Sequence, residues 1–137
     1  MTNSNDDLVK EWYKFAMRDL TAAGHLYETM HPKPLEIICY LSQQAAEKML
    51  KAFLVSNEIS PPRTHDLRQL CEMCIEISDS FDNLKDVCTA LNPYGVQPRY
   101  PNEMEILETD AEMALQSVKA MRDFFEAQDT VFEETFR

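Results

Sequence analysis

The stretch "CYLSQQAAEKMLKAFL", residues 39–54, decides the fold. Read at the helical pitch of 3.6 residues per turn, its apolar positions, with Leu35 and Ile38 just before it, cover more than half of the helix circumference. A helix apolar over that much of its surface is central, with neighbours on two sides. Ser42, Ala45 and Ala46 are small, so another helix can approach closely there. What remains is a narrow polar strip of Gln43, Gln44, Glu47, Lys48 and Lys51. Gln44, Lys48 and Lys51 stand at i, i+4 and i+7 and line up along one face. Periodicity alone reads this strip as solvated.

The flanking sequence supplies more helices. Residues 5–28 carry Leu8, Trp12, Phe15, Ala22, Ala23 and Leu26 in one stripe. "HPKP" (31–34) interrupts the pattern, and Pro34 suits the start of a helix over residues 35–57. "EISPPRTH" (58–65) is an extended connection, after which a shorter helix is expected from Asp66, with Thr64 as a cap. Another short piece is expected at 82–91, followed by a loop, "NPYGVQPRYPNE" (92–103). The last helix is capped either near Asn102 or by the box Thr109-x-x-Glu112. Its stripe of Leu107, Ala111, Ala114, Val118, Met121 and Phe125 keeps helical spacing. The expected architecture is an all-α, up-and-down bundle of three long helices and one or two short ones. Residues 1–127 are read as one domain and 128–137 as a tail.

Composition agrees. With only two glycines, Gly24 and Gly95, a Walker or Rossmann phosphate loop is excluded and helices are favoured over turn-rich β structure. The net charge of −11 repels phosphate backbones and argues against broad binding to nucleic acid. That acid is uneven: residues 102–137 hold ten Asp/Glu against three Lys/Arg, whereas residues 33–68 hold four against five. The acidic last helix could engage a basic partner surface, and the middle segment could build a local basic pocket. No run approaches the ~20 apolar residues of a membrane span, and the opening residues lack an apolar signal core. A cytoplasmic protein with reduced thiols is expected. Cys71-x2-Cys74 has ligand-like spacing but lies within an amphipathic helix, with Cys39 and Cys88 on apolar faces elsewhere. Buried thiols are therefore expected, and neither a metal nor a cofactor.

Asp19 falls on the apolar stripe of the first helix and must find a cation or several donors there. Arg99, His65 and nearby indole or phenol groups are the candidates. The carboxylate serves either as an internal staple or in catalysis. A nucleotide site, if present, would be made of side chains between helices. Lys48, Lys51 and Arg99 would meet its phosphates, Gln44 would bond a base or ribose, and Tyr94 or Tyr100 would stack. His65 is either a capping or core residue or a catalytic one.

"SQQAAEKMLKAFL" (42–54), "RTHDL" (63–67) and "RYP" (99–101), preceded by "WYKFAMRDLTAA" (12–23), together resemble the HEPN domain, a nucleotide-binding module of higher eukaryotes and prokaryotes. The resemblance covers about residues 8–127. It implies a helical bundle that forms a homodimer and works beside a minimal nucleotidyltransferase, in some members as part of a toxin–antitoxin pair. The nucleotide-binding residues would be Gln44, Lys48, Lys51, His65, Arg99 and Tyr100. One branch of the family consists of metal-independent ribonucleases with an Arg-x(4–6)-His motif near the start of the last long helix. Here the chain after Arg99 reads "YPNEMEILETD", with no histidine at that spacing, while Arg18 and His25 match Arg-x6-His on the first helix. The reading is a nucleotide-binding or protein-interaction module without catalytic activity of its own. The alternative is a ribonuclease.

Overall fold

Six α-helices organise residues 4–96 and 105–137, the part of the chain that this computed structural model describes: α1 (Ser4–Thr29), α2 (Leu35–Ser56), α3 (Leu67–Ile77), α4 (Lys85–Leu91), α5 (Glu108–Gln128) and α6 (Thr130–Thr135). Short 3-10 turns cover Asp79–Leu84 and Asn92–Tyr94. No strand occurs among the described residues, and no helix there is long and apolar enough to cross a membrane. The expected all-α bundle is the fold observed. As the breadth of its apolar face requires, α2 is the central element and packs on α1, α3, α4 and α5.

α1 turns a different face to the core from the one its largest side chains suggest. The buried stripe is Val9, Tyr13, Ala16, Leu20 and Ala23, one residue on from the expected one. Leu8 and Phe15 are left 51% and 41% exposed, and Trp12 is only partly buried. Small residues explain the rotation. Ala16 and Ala23 of α1 and Ser42, Ala45 and Ala46 of α2 are all fully buried, and side chains of that size let two helix axes come close. Leu8 or Phe15 at such positions would hold them apart.

The other boundaries follow from local chemistry. α2 ends in a Schellman motif: Glu58 N–H donates to Val55 O at 2.9 Å and Ile59 N–H donates to Leu54 O at 2.9 Å. Glu58 takes the left-handed conformation (φ 60°) where glycine is usual. α5 is capped at neither expected place. Asn102 lies outside the described residues, and Thr109 falls inside the helix. Its N-cap is Leu107, whose backbone N–H donates to Asp110 Oδ2 at 2.9 Å. The expected tail contains α6, capped by Asp129 Oδ1 accepting from Val131 N–H at 2.9 Å.

α6 is held by aromatic packing and one polar bond. Phe132 is buried with its ring centroid 5.0 Å from that of Tyr13 and 6.1 Å from that of Phe125. The Tyr13 hydroxyl donates to Asp129 Oδ2. Burial, with the Asp129 charge second, pushes the Tyr13 phenol far above its ordinary range. Phe81 ties Phe53, Phe124 and Phe125 into the same core.

All four cysteines are buried and free, and Cys71 and Cys74 face the core along α3. Burial pushes the thiols of Cys39 and Cys74 up to about 12.

Removing the Tyr13 hydroxyl leaves Asp129 with its backbone bond alone. Tyr13→Phe should cost about 1–3 kcal/mol and lower the Tm by about 4–10 °C. Thermal melts followed by circular dichroism measure this, and an unchanged Tm would show that the bond contributes nothing. Stability should also fall as pH rises from about 9 toward 12. Over that range the unfolded chain releases thiol protons that native Cys39 and Cys74 retain, so the unfolded state binds fewer protons. The loss by pH 10 is about 1 kcal/mol per thiol. Urea midpoints at pH 8 and pH 10 would show it, with a shallower fall in a Cys39→Ala, Cys74→Ala variant.

Candidate functional site

The polar strip of α2 is not solvated, contrary to the reading from periodicity. Gln43, Glu47 and Lys51 are 0%, 5% and 9% exposed, and only Gln44 and Lys48 reach partial exposure. The cover comes from the segment that leads into α3 and from the turn after α4. These groups lie inside the molecule, so each must be bonded by another side chain or by backbone.

Glu47 is the centre. Its Oε2 accepts from Lys51 Nζ at 3.0 Å, one turn along α2, and its Oε1 lies 2.8 Å from His65 Nδ1. The Gln43 amide donates to Glu47 Oε1 at 3.4 Å and to the His65 carbonyl at 3.1 Å, and Gln44 donates to Gln43 Oε1 at 2.8 Å. An ionised carboxylate only accepts, so His65 Nδ1 is the donor. The His65 side chain is 68% exposed, so it is not the core residue that was one of its expected roles.

The start of α3 is fixed to this cluster. Asp66 is the N-cap, accepting from Arg68 N–H at 3.0 Å, and its own N–H donates to Thr64 Oγ1 at 3.1 Å. Asn92 Oδ1 accepts from Leu67 N–H at 2.9 Å, and the Asn92 amide donates to Asp66 Oδ1 at 3.2 Å. The chain then passes so close to α2 that a β-carbon on Gly95 would lie 3.2 Å from Gln43 Nε2.

Of the expected site residues, Gln44, Lys51 and His65 are brought together around Glu47. Lys48 leans the other way, toward α1, where it forms an ion pair with Asp19. That pair corrects the expected partners of Asp19, which were Arg99, His65 or an aromatic donor. The lysine that fills this role was assigned to phosphate instead. Both lysines proposed for phosphate are thus bonded to carboxylates. Arg99 and Tyr100 lie outside the described residues. Tyr94 is partly buried against the core, and burial raises its phenol.

Gln43, Glu47 and Asn92 are the components that reading the sequence for a site missed. The first two, with Lys51, form a run at i, i+4 and i+8, which marks one continuous face. Nothing local reveals that this face is covered. Among the described residues there is no group of three or more His, Cys, Asp or Glu arranged to hold a metal.

Comparison with known proteins bears on what this arrangement belongs to. No curated protein gives a significant match. Among solved structures, TT1696 from Thermus thermophilus superposes with a TM-score of 0.69 over 93% of this chain and 97% of its own. Its identity is 22%, a level at which the likeness concerns the fold. The sequence profile of the HEPN domain matches residues 9–128, from the first buried residue of α1 to the last residue of α5 and including the whole Gln43–Glu47–Lys51–His65 cluster. The chain therefore belongs to the HEPN domain family.

Proposed function

We propose that this HEPN domain works through contacts with other proteins. It acts as a homodimeric, cytoplasmic module partnered by a minimal nucleotidyltransferase in a toxin–antitoxin-like pair, without chemistry of its own. The observation that carries this reading is the internal neutralisation of the α2 lysines. A phosphate approaching Lys48 or Lys51 must displace Asp19 or Glu47, each already bonded and largely shielded from water. Outer α1, by contrast, leaves Leu8 and Phe15 exposed beside Trp12, the kind of apolar surface that partner proteins cover. Gln44 and the exposed His65 remain available to a nucleotide as polar contacts, without strong positive charge beside them.

The ribonuclease alternative keeps one structural point in its favour. Arg18 and His25, two turns apart on α1, line the same open groove. Against it stands a net charge of −11, which disfavours a polyanionic substrate.

Thermal unfolding against ATP, GTP, CTP, UTP and a short RNA, with and without Mg²⁺, separates these readings. A nucleotide at about 100 times its Kd adds about 2.7 kcal/mol to the folded state, a Tm rise of about 9 °C for a chain of this size. The expected result is no such rise. A selective rise abolished by Gln44→Ala or His65→Ala would replace the protein-contact reading with nucleotide binding. RNA incubated with the protein in EDTA should stay intact, and cleavage lost in both Arg18→Ala and His25→Ala would establish the ribonuclease. Co-expression with a minimal nucleotidyltransferase should yield a stoichiometric complex, and two separately eluting proteins would remove that partner class.

A further inference from the structure

An open groove of ≈ 660 Å³ runs along α1, on a face that does not carry the Lys48–Asp19 pair. Its lining includes Lys14, Arg18 and His25 and no Asp or Glu, in a chain whose net charge is −11. Between these groups lie Met17, Ala22 and Phe136, the last 46% exposed. The Arg18 guanidinium rests 4.4 Å from the centroid of the Phe15 ring, which holds it over α1. Neither Arg18 nor His25 meets a carboxylate among the described residues. Lys14 has only a 3.9 Å contact with Glu11, both side chains being more than half exposed.

We infer that this groove docks an acidic amphipathic helix of a partner protein. From residue 14 to residue 25 it extends about 16 Å, or three helical turns, long enough for an elongated segment rather than a single phosphate. Its three cationic or N–H-donating groups repeat at offsets of 4 and 11 residues, a spacing that carboxylates on one face of a facing helix can match. Met17, Ala22 and Phe136 provide the apolar floor on which an aliphatic anchor seats. Salt screens charge beyond about 8 Å at physiological strength, so a short segment responds chiefly to the groove's own lining, which holds Lys14 and Arg18 and no carboxylate, with Glu11 beside Lys14 at its edge. An RNA longer than the groove has no such relief, because its further phosphates meet the rest of a chain whose net charge is −11.

The inference rests on reading the domain as an interaction module and specifies the chemistry of one partner. The probe is a fluorescein-labelled helical peptide of about 16 residues, with glutamates at offsets 0, 4 and 11 to match positions 14, 18 and 25, and leucines between them. Fluorescence anisotropy should show saturable binding that weakens with salt. Binding should fall about ten-fold or more with glutamine in place of glutamate in the peptide, and likewise in Arg18→Glu. Phe136→Ala should weaken binding without altering its salt dependence, and circular dichroism confirms that each variant is folded. Equal affinity for the two peptides, or no effect of Arg18→Glu, would overturn the proposal. So would tighter, Arg18-dependent binding of a single-stranded RNA, which would assign the groove to nucleic acid. Self-association abolished by Arg18→Glu would assign it to a second copy. Peptide binding without a nucleotidyltransferase complex would defeat only the partner reading above, and the reverse result would defeat only this one.

Discussion

Glu47 is a carboxylate placed on the helix that the rest of the molecule surrounds. Stripping an ionised group of water costs several kcal/mol, and Glu47, 5% exposed, lies where water has little access to it. The surrounding chain must supply the missing donors, and the positions of its segments follow from that need. Lys51 answers from the next turn of the same helix, His65 from the segment entering α3, and Gln43 joins Glu47 to the backbone of that segment. Once His65 is fixed, Asp66 and Asn92 set where α3 begins, and Asn92 brings Gly95 against Gln43. One desolvated charge therefore determines the path of four segments. Such a cluster contributes more to choosing one arrangement than to net stability, since its interactions mainly repay their own desolvation.

The HEPN sequence pattern can be understood on the same terms. "SQQAAEK" and "RTHDL" are distant in the chain and meet at Glu47. The alanines between Gln44 and Glu47 permit α1 to lie close, and the polar residues on either side join α2 to α3. Small residues and bonded polar residues alternate because α2 has two kinds of neighbour to satisfy.

Much of the fold was legible in the sequence, because α2 and α5 have apolar stripes whose spacing admits one reading. On α1 the reading failed by one residue. Hydropathy gives weight to Leu8, Trp12 and Phe15, but the closeness of the α1–α2 contact rewards the small size of Ala16 and Ala23. The error carried over to Asp19. On the expected face it would have pointed into the core and required Arg99 or His65, whereas on the observed face it meets Lys48. α6 escaped because "TVFEETF" is short and acidic, with little helical preference of its own; what holds it is tertiary. The site was half legible: its residue types and their order on α2 could be read, and their burial could not. Burial depends on the route of the chain between α2 and α3, which local pattern does not encode.

The bond from Tyr13 to Asp129 joins residues 116 positions apart and ties the first helix to the last. Closing so long a loop in an unfolded chain is entropically unfavourable, so the contact is inaccessible until α1, α2 and α5 have shortened the distance. α6, only six residues long and held chiefly by Phe132 and Tyr13, therefore depends on the packed bundle for its place. The molecule thus has a clasp that ties α6 to α1 across almost the whole sequence. Because Phe136 follows directly on α6 and lines the groove on outer α1, whatever loosens this clasp reshapes that groove, whereas the Glu47 cluster is held by bonds in which α6 has no part.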